Sequence, residues 1–144
     1  MFTTIKGWFG LSKENKETLK DNIRSEINIM DAVVAHVKWK IRLEDYLNGT
    51  STETLDPIII CRDDQCTLGK WIYGPALKYF SDSDEFRQLR TDHARFHFLA
   101  GNVVKKVQEN DRASAEVMMT NEYPQVSHKV VRALSELNRQ MMEK

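Results

Sequence analysis

Three histidines and one cysteine stand out in this sequence by residue type and spacing. His93 and His97 are four residues apart, and His36 and Cys66 lie upstream. A helix places residues i and i+4 one turn apart on the same face, so both imidazoles of an HxxxH pair can reach one ion. Cys66 opens the segment CTLGKW. A thiolate just before a helix start is favoured by the positive end of the helix, and a thiolate is what zinc binds. Three imidazoles and one thiolate form a tetrahedral set suited to zinc, so His36, Cys66, His93 and His97 are the candidate metal ligands.

The histidines are candidates because of their company. His93 lies on the apolar stripe Phe86, Leu89, His93, Phe96, Ala100, Val103, Val107, and His97 follows one turn later. His36 shares a helix face with Ile29, Val33 and Leu43. One histidine on such a face is explained by a satisfied hydrogen bond in the core. Two facing inward are harder to satisfy, because a buried polar group without a partner costs roughly 1–3 kcal/mol. A shared ion takes one nitrogen from each ring. Trp39 and Trp71 read as core aromatics that also wall off the site. Gly69 allows close backbone approach where the second helix meets the bundle.

The elements that must position these residues read as helices. The first spans about Ser12 to Leu47, with Ile23, Ile27, Met30, Val34, Val37 and Ile41 at steps of three or four, and Asn48-Gly49 stops it. TSTETLDP is a polar loop ending in Pro57, and Ile58–Ile60 is an apolar run of ambiguous type, readable as an extended segment over one end of a bundle. A short helix covers Leu68–Tyr73, is interrupted at Gly74-Pro75, and resumes to Phe80. The third helix starts after SDSDE, where Asp82 and Glu85 fit a capping pattern. The fourth runs from about Asp111 to Met142, with a kink or break near Tyr123 because of Pro124. Its buried face is Met119, Val126, Val130, Leu134, Leu137 and Met141. The expected fold is all-α, of four-helix-bundle type, with an additional short helix carrying the cysteine ligand. Residues 1–11 form an N-terminal tail and 12–144 the helical domain.

Composition bounds the function classes. The 144 residues carry 21 Lys+Arg and 21 Asp+Glu, so nothing points to a phosphate backbone as the main partner. With 41% hydrophobic and 29% charged residues the chain reads as globular. Cys61 and Cys66 are too few and too close for a secreted disulfide framework, which favours a reducing cytoplasm. No apolar stretch approaches the length of a membrane span, and the start MFTTIKGWFG does not read as a signal peptide.

Taken together, the motifs HxxW (His36 to Trp39), CxLGxW (Cys66 to Trp71) and HxxxH (His93 to His97) resemble the CZB, or chemoreceptor zinc-binding, domain of bacteria, over about Ile23 to Leu137. The resemblance implies a helical bundle, often a homodimer, that binds zinc through three histidines and one cysteine, here His36, His93, His97 and Cys66. It implies regulation of a chemoreceptor's signalling proteins or a diguanylate cyclase, with zinc, or an oxidant acting on the zinc-bound cysteine, as input. The chain has no GG(D/E)EF motif and no long receptor coiled coil. The resemblance therefore implies a stand-alone or excised domain whose output lies elsewhere.

Rival readings fit less well. A zinc hydrolase helix needs glutamate directly after its first histidine, and here Ala94 follows His93; Asp92 and Glu85 read as surface charge. The sequence thus argues for a protein that is not an enzyme. A hemerythrin-like di-iron site needs more histidines and bridging carboxylates, and only His128, read as surface, is spare. A structural zinc-stabilised dimerisation bundle remains an alternative. Cys61 reads as a loop cysteine or as a resolving thiol for an oxidised Cys66. Phe2, Ile5, Trp8, Phe9 and Leu11 of the tail read as packing on their own domain, ahead of docking on a partner or a membrane surface.

Overall fold

The computed structural model describes residues 28–142. The tail, Ile23, Ile27 and the start read at Ser12 lie outside the described residues. Helix α1 spans Ile29–Asn48. The Asn28 side chain caps it by accepting from the Asp31 amide at 3.1 Å. Gly49, in the left-handed region at φ 75°, ends it and donates its amide to the Asp45 and Tyr46 carbonyls.

Ile58–Ile60 is not extended. It forms one helical turn, α2, Pro57–Ile60, with Pro57 in its first turn and Asp56 accepting from the Ile58 amide at 2.9 Å. The fixed φ of Pro57 and the Asp56 cap together override the β-branched run. Helix α3 spans Thr67–Ile72 and α4 Pro75–Phe80, as the Gly74-Pro75 interruption requires.

Helix α5, Asp84–Gln108, is the central element and packs against α1, α2, α6 and α7. Its cap is Ser83 rather than Asp82: the fully buried Ser83 hydroxyl accepts from the Phe86 amide at 3.2 Å. Helix α6 spans Arg112–Thr120 and α7 Glu122–Met142. The break falls at Asn121, so that Pro124 sits in the first turn of α7, where a missing amide breaks no intrahelical bond.

The described residues contain no strand and form an all-α bundle, with three long helices and four short ones among them. Phe86, Leu89, Phe96 and Val103 of α5 meet Val130, Leu134 and Leu137 of α7 in a fully buried core. On α1 the buried face is Ile29, Ala32, His36 and Leu43. The more apolar face of that helix points outward: Met30, Val34, Val37 and Ile41 are 55%, 48%, 50% and 58% exposed.

Candidate metal centre

Two of the three histidines are oriented by backbone carbonyls. His36 comes from the middle of α1, and its Nδ1–H donates to the Ala32 carbonyl at 2.7 Å, one turn back. His97, on α5, donates its Nδ1–H to the Ile60 carbonyl at 2.9 Å. That carbonyl closes α2, where a helix end leaves acceptors free. A carbonyl only accepts, so the proton sits on Nδ1 in both rings and each Nε2 presents a lone pair. His93 is fully buried, and its Nδ1 has no hydrogen-bond partner.

Cys66 is the N-cap of α3, and its sulfur accepts from the Gly69 amide at 3.3 Å. Gly69 is required by a close approach, though not to the bundle: a Cβ there would overlap the Asp63 carbonyl oxygen. The tight turn Asp63–Gly69 is what brings the sulfur to the histidines.

The ligating atoms converge. His93 Nε2 lies 3.2 Å from His36 Nε2, 3.1 Å from His97 Nε2 and 3.4 Å from the Cys66 sulfur. The sulfur is 3.5 Å from His97 Nε2, and one donor atom from each of the four residues lies within 4.8 Å of the others. Around a tetrahedral zinc, ligand nitrogens stand roughly 3.3 Å apart, and nitrogen and sulfur roughly 3.6 Å. The four separations of 3.1–3.5 Å are close to those edges.

Protons alone do not satisfy this cluster. The Nε2 atoms of His36 and His97 are acceptors, and only His93 Nε2 and the Cys66 thiol are left to donate, so two protons can bridge at most two of the four close contacts. Burial pushes all three imidazoles below their ordinary value, His93 down to about 2, where the neighbouring His97 and His36 add to the effect. They are therefore neutral, the form that binds a metal. Burial pushes the Cys66 thiol up, against the amides of Gly69 and Leu68. A divalent cation answers both the shortage of donors and the cost of the buried thiolate, so the residues fit zinc.

The surroundings are aromatic. The Phe96 ring meets His36 at 5.2 Å and His97 at 5.6 Å between centroids. Trp71 is buried and Trp39 half-buried. Asp92 is buried rather than a surface charge, and accepts from Gln88 at 3.1 Å. His128 is exposed, as its polar neighbours suggest. The carbonyls of Ala32 and Ile60, which orient two rings, were beyond sequence reasoning, because backbone acceptors have no residue signature.

Fold and site define an all-α bundle with a cluster of nitrogen and sulfur donors that could hold a metal ion. Residues 36–104 match the family model described as chemoreceptor zinc-binding domain, CZB. The match begins at His36 and ends within α5, narrower than the span Ile23 to Leu137. No curated protein and no solved structure matches the chain. Zinc is thus the metal of the family, and the four residues grouped here are a possible site for it. No helix among the described residues is long and apolar enough to cross a membrane.

Proposed function

We propose that His36, Cys66, His93 and His97 hold one zinc ion and that the domain, residues 12–144, is a regulatory sensor module. The convergence of the four donor atoms within 4.8 Å carries this reading. Zinc held there would supply a cross-link and a positive charge at the centre of the bundle. His36 belongs to α1, Cys66 precedes α3, and His93 and His97 belong to α5, so the ligand set ties three separate segments together. Without the metal, neutral imidazoles and a thiol face one another with two protons for four close contacts, and the contact between α1 and α5 weakens. Oxidation of Cys66 removes one ligand and acts in the same direction.

Four protein ligands leave no open coordination position, which supports regulation over catalysis. The family's name supports an output in chemotaxis; a diguanylate cyclase as output and a cytoplasmic setting are part of the same proposal. Metal analysis of the purified chain tests the core of the reading. One zinc per chain is expected, falling to near zero in His93→Ala. A chain that binds no zinc, or a variant that keeps it, contradicts the assignment.

A second reading, a zinc-stabilised dimerisation bundle, is favoured by the exposed stripe Met30, Val34, Val37 and Ile41. The steps of four, three and four follow a coiled-coil seam, and the stripe lies on the helix that carries His36. The two readings share the homodimer and differ in whether metal loss changes its shape.

A further inference from the structure

Cys66 is the open side of the cluster. His36, His93 and His97 are all but sealed, whereas Cys66 is half-buried. Two clefts reach it. One, of about 610 Å³, is lined by Asp31, Ala35, His36 and Cys66 among others. The second, of about 310 Å³, is lined by Arg42, Ile59, Arg62, Cys66 and His97 among others. Trp39 lines both. The indole thus stands at both approaches to the sulfur, together with Gln65.

The indole is held from outside. The Arg42 guanidinium carbon lies 3.8 Å from the centre of the Trp39 ring, a stacked cation–π contact. Arg42 is in turn fixed by Glu53 through two parallel bonds, Nε–H to Oε2 at 3.1 Å and the second nitrogen to Oε1 at 2.6 Å. Glu53 sits in the α1–α2 loop and donates its amide to the Ser51 hydroxyl at 3.0 Å. Thr50 and Ser51 are tied to the Asp45 carbonyl, and Gln108 of α5 donates to the Leu55 carbonyl at 2.8 Å. A continuous set of contacts therefore runs from Trp39 through Arg42 and Glu53 to a loop anchored on α1 and α5. The Arg42 and Glu53 side chains are 39% and 38% exposed, so the pair adds little to stability. Its two-pronged, stacked geometry suits positioning.

We propose that Arg42 and Glu53 form a latch that holds the Trp39 indole across Cys66 and so sets how fast the sulfur exchanges with chelators and thiol reagents from solvent. The inference rests on the zinc-site reading and adds residues that do not touch the metal. Lysine at position 42 keeps the charge but neither the fork nor the stacking, so it does not replace arginine here.

Two rates test the latch, both in a full-length Cys61→Ser background so that only one thiol reports. First, the zinc-loaded chain is mixed with excess chromophoric chelator. Glu53→Gln and Arg42→Lys are expected to release zinc roughly tenfold faster than the background, from the same initial zinc content and helicity. The double variant is expected to match the single ones, because both substitutions open one contact. Second, the zinc-free chain is alkylated with a maleimide, and Cys66 is expected to react faster in the same variants. Unchanged release and alkylation in both variants overturn the latch. A background that holds no zinc refutes the site reading instead, and the alkylation rates still decide the latch. Both variants change exposed side chains, so a folding failure is not built into the test.

Discussion

His93 of α5 and His36 of α1 face one another nitrogen to nitrogen, with their Nε2 atoms 3.2 Å apart in a region closed to water. The two residues are 57 positions apart in sequence. At least one of these nitrogens is an unprotonated acceptor, and His97 Nε2 adds another at 3.1 Å. A single proton on His93 Nε2 bridges only one of these two contacts, whereas a cation meets all three nitrogens, which leads to the first prediction.

Removing zinc should destabilise the fold. A ligand present at about a thousand times its dissociation constant stabilises the folded state by roughly 4 kcal/mol. Chelator-treated protein should therefore show a clearly lower thermal midpoint than zinc-loaded protein, restored by added zinc. Identical melting curves with and without zinc contradict the link between metal and fold.

The metal-free chain should also lose stability in acid. Burial lowers the pKa of His36, His93 and His97 from their ordinary 6.5. Below that value the unfolded chain binds protons that the folded chain refuses, so stability is full above about pH 6.5 and falls as the pH drops. The slope is on the order of 1 kcal/mol per pH unit for each such histidine. Denaturant midpoints of chelated protein should fall from pH 7 to pH 5, and His93→Leu should flatten the decline. A flat profile for the original sequence contradicts the burial of neutral rings.

Much of this was legible in the sequence because it rests on local pattern. The stripe Phe86, Leu89, His93, Phe96, Ala100, Val103, Val107 marks α5 and places His93 on its inner face; the first six are buried and Val107 is half-buried. Pro124 marks the break between α6 and α7. Other features depend on partners distant in the chain. Asp92 carries a charge, yet neighbouring elements bury it beside Gln88. The one-turn helix at Pro57–Ile60 comes from a cap and a proline that outweigh three isoleucines. The steps of three and four through Met30, Val34, Val37 and Ile41 correctly indicate a helix, but periodicity does not say which apolar face the bundle covers. His36, on the less apolar face, turns out to mark the buried side.

The uncovered stripe yields the third prediction. If a second copy covers it, sedimentation should give the mass of a dimer for the unaltered chain. Val34→Glu combined with Val37→Glu should then give a monomer with an unchanged zinc content, since both side chains point away from the metal centre. A monomeric parent chain, or a dimer that survives both glutamates, contradicts this interface.

The central claim is the identity of the four ligands, and X-ray absorption at the zinc edge tests it most directly. The spectrum should fit one sulfur near 2.3 Å and three imidazole nitrogens near 2.0–2.1 Å, with no water. In Cys66→Ala the sulfur shell should vanish. A fit without sulfur in the unaltered protein, or a sulfur shell that persists in Cys66→Ala, would contradict the site built from His36, Cys66, His93 and His97.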